Sequence, residues 1–404
     1  MKAAGIVCEF DPFHNGHAHL ISKVREQGAG SVVCVMSGDF VQRGAPAICD
    51  KFLRAEAAVK CGADLVLQLP AVYAVNSADY FAAGAVKILK GLGCVDTLAF
   101  GSESADVAVL QRIADATAFE SAEFSKAVKL GLSEGLSYPE AYQNALKNVH
   151  PDLDTSVLGS PNDILAVSYL REILRQKAGL KPFAVKRAGT GHGNLSAEGE
   201  YASASYIRSA LNSGSDTWQS HVPKAAADVQ GLLQLDSQSL KLRNDRYFAI
   251  VRHALLSAHP KDLQNIAEVS EGLENRILAA AESAGSLEDL IGSVTTSRYT
   301  SSRVSRILAQ LVLGITKDIV GAAERPQAGY AKVLAFNSTG AELLRSAKER
   351  GTVPVYSNIN KIQDKTAQND PVLSLDIKAA DIYSVICGRP VSGYSDKVQV
   401  PKML

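Results

Sequence analysis

Charge of either sign is not in excess in this 404-residue chain: 42 Lys and Arg stand against 42 Asp and Glu. A global polycation that would advertise nucleic acid or an anionic membrane is thereby excluded, so any such contact must come from a local patch. Proline (14) and glycine (31) show no excess that would suggest a fibrous chain, and an apolar share of 46% excludes a disordered one. Cysteines are few, six in all, at Cys8, Cys34, Cys49, Cys61, Cys94 and Cys387. They form no Cys-x-x-Cys pair and no metal-finger spacing. Cys8 and Cys34 sit in strand-like apolar runs, where a free thiol behaves as a small hydrophobe. No run approaches the roughly 20 apolar residues of a membrane span, and the opening residues reach Glu9 too soon for a signal peptide. The expectation is a soluble, cytoplasmic protein, long enough for two or three domains.

What is present is alternation. Apolar runs at Ala4–Cys8, Val32–Met36, Leu65–Leu69, Thr97–Phe100 and Phe183–Lys186 read as strands. Helical spacing covers His17–Gln27, Asp50–Cys61, Ser77–Leu92, Asp106–Ala118 and Asn162–Arg175. Strand, crossover helix, strand predicts an α/β fold with a Rossmann-like parallel sheet covered on both faces. Ligands of such sheets sit at the carboxyl ends of the strands, so the informative loops follow Cys8, Met36, Leu69 and Phe100. Residues 216–320 show helical spacing throughout. A break at Arg325-Pro326-Gln327-Ala328-Gly329 opens a last piece, in which strands Ala331–Phe336 and Val353–Tyr356 flank a helix Ala341–Arg350. The expected organisation is an α/β domain over 1–215, a helical domain over 216–325 and a small α/β domain over 326–404.

The loop after the first strand, Glu9-Phe10-Asp11-Pro12-Phe13-His14-Asn15-Gly16-His17, opens a helix. The first helical N–H groups lack intrahelical partners and the macrodipole is positive there, so this position favours phosphate. Gly16 has no Cβ to hold a phosphate off the backbone, and Pro12 fixes one dihedral of the loop. His14 and His17, three residues apart, reach the same turn and can donate to phosphate oxygens, stabilising charge as pyrophosphate leaves. His-x-x-His is also half of a zinc site, but no further His/Cys cluster supplies the other ligands and no metal site is assigned. His19 has a structural reading of its own.

The stretch Phe-Asp-Pro-Phe-His-Asn-Gly-His resembles the HxGH signature of the class I nucleotidyltransferases, which share their fold with class I aminoacyl-tRNA synthetases. Further along come Met36-Ser37-Gly38-Asp39-Phe40-Val41-Gln42-Arg43-Gly44-Ala45-Pro46, Asp50-Lys51 with Arg54, and Gly62-Ala63-Asp64-Leu65-Val66-Leu67-Gln68-Leu69-Pro70. Ser77-Ala78-Asp79-Tyr80-Phe81-Ala82, Phe100-Gly101-Ser102-Glu103, Ser160-Pro161-Asn162-Asp163 and Lys186-Arg187 follow. Together these resemble the bacterial tRNA(Met) cytidine acetate ligase family across nearly the whole chain. The resemblance implies an ATP-dependent ligase with Mg²⁺, activating acetate as acetyl-adenylate and acetylating N4 of the wobble cytidine in the anticodon loop of elongator methionine tRNA. It makes His14 and His17 catalytic. It makes Val7, Cys8, Glu9, Phe10, Asp11, Pro12, Phe13, His14, Asn15, Gly16, His17, Ala18, His19 and Leu20 the ATP-binding segment, with Gly101, Asn162 and Arg187 as further nucleotide contacts. Two positions depart from the family: Asp11 stands where Asn is commoner, and Gln68 where Glu usually precedes Leu-Pro.

Bland alternatives stand beside these roles. Gly101 can be an ordinary turn glycine, Asn162 a helix cap and Arg187 a solvated arginine. Ser203-Ala204-Ser205-Tyr206-Ile207-Arg208 resembles the superfamily's hydroxyl-rich turn, which puts Ser203, Ser205 and Arg208 at the β- and γ-phosphates; a simple N-cap is the alternative. The best local basic patch is Arg298 through Arg306. There Arg303, Arg306 and Gln310 share a helix face opposite Val304, Ile307, Leu308 and Leu311, which suits an RNA backbone or a solvated face. Arg43 and Lys51 could serve pyrophosphate or tRNA. Ala4, Gly5 and Phe10 are candidate walls of an acetate pocket. The competing activity is adenylylation of a phosphorylated small metabolite, but roughly 190 residues beyond one nucleotide-binding domain favour a large partner. Nothing in the sequence sets the oligomeric state.

Overall fold

The computed structural model describes residues 3–187, 197–270, 272–325, 329–364, 370–397 and 399–404. Strands β1 (Ala3–Cys8), β2 (Ser31–Ser37), β3 (Phe40–Val41), β4 (Ala45–Pro46), β5 (Leu65–Leu69), β6 (Thr97–Ser102) and β7 (Lys181–Lys186) follow one another in the first half. Next come β8 (Ala197–Glu198), β9 (Tyr201–Ala202), β10 (Ala331–Phe336), β11 (Val355–Tyr356) and β12 (Lys402–Met403). The main sheet has the order β11-β10-β5-β2-β1-β6-β7, with β12 beside β10; β3–β4 and β8–β9 are separate hairpins. From β5 through β7 all neighbours are parallel. The five expected strands form: Leu65–Leu69 has its expected ends, and the other four are longer by one or two residues at one or both ends.

Burial explains why β2 and β5 carry almost nothing but apolar residues: every residue of both is buried. Their side chains alternate between two cores. Val32, Cys34 and Met36 pack with Ile21 and Val24 of α1 (Asn15–Glu26) and with Phe52 and Ala55 of α2 (Lys51–Lys60). Val33 and Val35 pack on the other face with Phe81, Ala85 and Leu89 of the helix Ala78–Gly91. The chain runs outward from β1 to β2 and β5, then returns to place β6 and β7 on the other side of β1. The crevice between the carboxyl ends of β1 and β6 is therefore the topological switch point, where open α/β sheets bind ligands.

The C-terminal piece corrects one expectation. Its opening break at Pro326–Ala328 lies outside the described residues, but β10 does not begin a sheet of its own. It pairs antiparallel with β5, setting Lys332 opposite Gln68 and Phe336 opposite Leu65, and so extends the main sheet. The edge of a strand as buried as β5 needs partners for its backbone groups, and β10 supplies them. Two features were not anticipated: the helical hairpin Ala122–Ser133 and Tyr138–Val149, between β6 and β7, and the helix Pro371–Ile386. Among the described residues of 216–325 the elements are helices, with Ser237–Ser257, Leu273–Ser283 and Ser301–Leu313 the longest pieces. Among the described residues no helix is long and apolar enough to cross a membrane.

Candidate active site

Arg54 on α2 organises the loop that leaves β1. Its guanidinium, wholly buried, donates to the carbonyls of Glu9 (2.5 Å), Cys49 (3.0 Å) and Gly38. The Glu9 carboxylate accepts the Gln42 N–H at 2.6 Å, while burial pushes its pKa up. Asp11 accepts the Ile48 N–H at 2.7 Å, and its carbonyl accepts Arg208 Nη1 at 2.5 Å. Here Asp serves as an acceptor that ties three segments together. Phe10, at φ 49°, turns its ring onto Phe13 and His17, with centroids 4.9 and 4.8 Å away.

The two histidines cap α1 reciprocally. His14 Nδ1 accepts the Gly16 N–H at 3.1 Å, and His17 Nδ1 accepts the His14 N–H at 3.2 Å. A ring nitrogen that accepts carries no proton, so both neutral rings are held as the Nε2–H tautomer. Both line the cleft, so Nε2–H is the donor that each has left for a ligand there. The rings stack at 3.7 Å. Burial, reinforced by Arg187, Arg208 and His221, lowers the His14 pKa to about 3; burial, His14 and Arg187 hold His17 well below its usual value. At neutral pH the pair is two uncharged donors. A Cβ on Gly16 would sit 2.9 Å from His14 Cε1, so the glycine leaves room for the ring as well as for a ligand.

Around this pair opens a cleft of about 260 Å³, near the ~300 Å³ lower end of small-molecule sites. It lies at the switch point. Of the expected nucleotide contacts, Val7, Cys8, Glu9, Phe10, Asp11, His14, Gly16, His17, His19, Leu20, Gly101, Asn162 and Arg187 all border it, as do Ser203, Ser205 and Arg208. Pro12, Phe13, Asn15 and Ala18 do not. The Asn15 side chain instead donates to the carbonyls of Glu200 and Ser220, and the Phe13 N–H donates to Gln230. Asn162 is no helix cap: Ser160 holds that position, and the Asn162 amide donates to Glu103 Oε1 at 2.6 Å. Arg187 Nε lies 3.9 Å from the same oxygen, and burial lowers the Arg187 pKa. Ser203 is an N-cap, accepting the Tyr206 N–H at 3.1 Å, so its hydroxyl is engaged within the fold. Ser205 accepts from Arg208 Nη2 at 3.2 Å.

Several expected residues stand elsewhere. Phe10 borders the cleft but Ala4 and Gly5 do not; Gly5 faces Leu89 of the helix Ala78–Gly91. Lys51 is buried and ion-paired to Asp39 (2.8 Å) and Asp396 (2.6 Å), out of reach of pyrophosphate or RNA. Its companion Arg43 does border the cleft, with Gln42. The helix Ser301–Leu313 buries Val304, Ile307 and Leu308 as its spacing predicts. Its arginine face, however, turns inward: Arg306 grips Glu268 through two contacts of 2.6 and 2.9 Å, and Arg303 donates to the Glu268 carbonyl and Ser270. Arg298, Arg303 and Arg306 border a second cavity and not the cleft. Sequence reasoning missed Tyr169, Phe81, Val185 and Tyr201 on the cleft walls.

Comparison with known proteins bears on the family and the fold. A family model described as HIGH nucleotidyl transferase matches residues 1–396. The tRNA(Met) cytidine acetate ligase of Acetivibrio thermocellus is 38% identical over 402 residues, spanning 96% of this chain and 95% of that protein. That of Caldanaerobacter subterraneus is 37% identical over 388 residues, spanning 95% of each. The crystal structure of Thermotoga maritima TmcAL bound with alpha-thio ATP matches with a TM-score of 0.87 at 30% identity over 100% of both chains; the apo form I structure gives 0.90.

Proposed function

Because this chain belongs to the tRNA(Met) cytidine acetate ligase family of HIGH nucleotidyl transferases, we infer that its cleft binds ATP and activates acetate. An acetate oxygen attacks the α-phosphorus and the bond to the β-phosphate oxygen breaks, giving acetyl-adenylate and pyrophosphate. The N4 amine of the wobble cytidine in elongator tRNA(Met) then attacks the acetyl carbon. AMP leaves with the bonding pair, and the amine proton passes to solvent or phosphate.

The observation that carries this reading is the locked histidine pair at the start of α1. Two fixed Nε2–H donors, the helix N-terminus and the guanidinium groups of Arg187 and Arg208 share one cleft, which supports their stabilising the charge that builds as pyrophosphate departs. Stacked at 3.7 Å, two imidazolium ions would repel by about 4 kcal/mol at an effective dielectric of ~20. At most one ring therefore takes a proton when the triphosphate arrives, and the other remains a neutral donor. Among the described residues Glu9 and Asp11 are the carboxylates lining the cleft, and each already accepts a backbone N–H. Among the described residues no group of three or more His, Cys, Asp or Glu could hold a metal. The residues thus fit Mg²⁺ carried on the triphosphate, where it would neutralise phosphate charge, rather than Mg²⁺ in a protein cage.

A single-stranded anticodon loop suits the second step, since its bases can splay into a pocket. Arg298, with Arg303 and Arg306 behind it, is the proposed tRNA contact. Two measurements test the whole reading: acetate-dependent ATP–pyrophosphate exchange, and mass spectrometry of tRNA nucleosides after incubation with ATP and labelled acetate. Exchange that requires a phosphorylated metabolite instead of acetate, or failure to label any cytidine, rejects it.

A further inference from the structure

A second cavity, of about 470 Å³, lies beside the cleft, well within the roughly 300–1,000 Å³ of small-molecule sites. Ser77 and Tyr80 form part of its wall, whereas Ala78 and Phe81, from the same helical turn, border the nucleotide cleft. The two cavities flank one turn of helix. The first turn of that helix is thus a wall common to both cavities.

The chemistry of the second cavity is cationic and aromatic. Arg298, Arg303, Arg306 and Lys317 face two carboxylates, Glu268 and Glu324. Arg306 engages Glu268, and Tyr80 donates its hydroxyl to Glu324 at 2.8 Å, so both carboxylates are satisfied within the wall. Lys317 is exposed and donates to the Gln264 carbonyl at 2.6 Å; an ammonium has three donors, which leaves others for a ligand. The Arg298 and Arg303 guanidinium carbons lie 5.9 and 5.5 Å from the centroid of the Tyr299 ring, which braces them as flat cations. Tyr138 is 50% exposed, an apolar ring standing in water beside these charges. A protein partner would call for an apolar centre; ring faces among cations fit stacked bases joined by phosphates.

We propose that this cavity is a single-stranded RNA subsite that holds a nucleotide flanking the acetylated cytidine, with the base on Tyr138 and Tyr80 and its phosphate on Lys317 and Arg298. The proposal rests on the ligase reading. The test uses the full chain with Tyr138→Ala, Tyr138→Phe, Lys317→Ala and the Tyr138→Ala/Lys317→Ala double variant. Pyrophosphate exchange, which needs no RNA, is expected to stay within about two-fold of the parent. Acetyl transfer to an elongator tRNA(Met) transcript is expected to lose about ten-fold or more in kcat/KM in the double variant. Tyr138→Phe should keep the parent value, because stacking needs the ring and not the hydroxyl. Lys317→Ala should lower the salt slope of tRNA binding by about one. Unchanged transfer and binding overturn the subsite, and so does a parallel fall of transfer and exchange. Fluorescence anisotropy with the same transcript, without ATP, separates the two readings. A parent that binds tRNA but exchanges no pyrophosphate defeats the ligase reading, while weakened binding in the variants still supports the subsite. Binding of a partner protein that is lost in the same variants, with tRNA affinity unaltered, would overturn it in favour of a protein interface.

Discussion

Gly16→Ala isolates the histidine geometry from the histidines themselves. Gly16 has no positive φ, and it occupies the first turn of α1, so alanine is conformationally acceptable and gains up to about 1 kcal/mol in helix propensity. Against this, its Cβ would lie 2.9 Å from His14 Cε1 and 3.1 Å from Nδ1. Backbone fixes the Cβ, so the ring must swing. The bond from the Gly16 N–H to His14 Nδ1 then breaks, losing about 0.5–1.5 kcal/mol. The two stability effects nearly cancel, and the urea midpoint should move by less than the equivalent of about 1 kcal/mol. Catalysis should not be spared. The His14 Nε2–H no longer points where phosphate charge develops, and loss of one such preorganised donor costs roughly 10²–10³ in rate. The assay is acetate-dependent pyrophosphate exchange at saturating ATP, with the His14 ring nitrogens followed by ¹⁵N NMR. A variant that exchanges at the parent rate although Nδ1 no longer accepts a hydrogen bond would refute the locked-tautomer argument.

The His14 pKa of about 3 means that the folded state binds fewer protons there than the unfolded chain, whose His titrates near ~6.5. Its contribution to stability is complete above about pH 6.5 and falls by about 1.4 kcal/mol per unit as pH drops towards 3. Between pH 7.5 and 5.0, urea unfolding of His14→Asn should therefore lose about 2 kcal/mol less than the parent; equal losses would contradict a buried neutral ring. Lys51→Met leaves the buried Asp39 without its cation and strips one from Asp396, which should destabilise by about 3–5 kcal/mol in chemical unfolding. An unshifted midpoint would argue against the pairs. Arg187→Ala removes a half-buried guanidinium from the cleft and should raise the KM for ATP in exchange by roughly 10–100-fold, as expected for charge-assisted hydrogen bonds; an unchanged KM would assign Arg187 to the fold alone.

Much of this was visible in the residues, and what was hidden has physical causes. The order strand–loop–helix around His14 and His17 is local, so periodicity and capping chemistry reveal it. The Nδ1 bonds that set the tautomer are equally local, but they depend on rotamers that spacing does not encode. Arg43 sits on a hairpin of two-residue strands, too short for any period. Its place comes from Gly44, at φ 76°, whose absent Cβ lets the turn press against the backbone of Ser305 and Arg306. The amphipathic reading of Ser301–Leu313 found the buried stripe, but Glu268, which claims Arg306, is 38 residues away and carries no mark of that contact. For Asn162 a helix cap stood as the alternative to nucleotide contact, because caps are commonest at helix starts; the pull of Glu103 is tertiary. The antiparallel insertion of β10 joins Lys332 to Gln68 across the chain, a pairing that no window of sequence contains.

That insertion also gives the distant C-terminal residues a part in the site. Asp396 pairs at 2.6 Å with both Lys332 on β10 and Lys51 in the first turn of α2. The buried pairs draw the carboxyl down, while burial pushes that of Asp39, on the other side of Lys51, up. Three residues along α2 from Lys51, Arg54 holds the Glu9 carbonyl, the first residue past β1 in the phosphate loop. A buried ion pair left incomplete is costly, because each remaining charge has lost water without gaining a partner. The start of α2 is thus pinned by a residue near position 400, and the loop that presents His14 is pinned by α2. Asp396→Asn should accordingly lower stability and also loosen the ATP loop, which would be read as a raised KM for ATP. Gln68 belongs to the same neighbourhood: its side-chain oxygen is buried with no hydrogen-bond partner, opposite Lys332. Gln68→Glu would place a carboxylate there, and an added pair with Lys332 should stabilise the fold without touching the cleft, whose walls do not include it. Exchange activity unchanged alongside a higher unfolding midpoint is the expected result; a loss of exchange would mean that position 68 acts on the nucleotide after all.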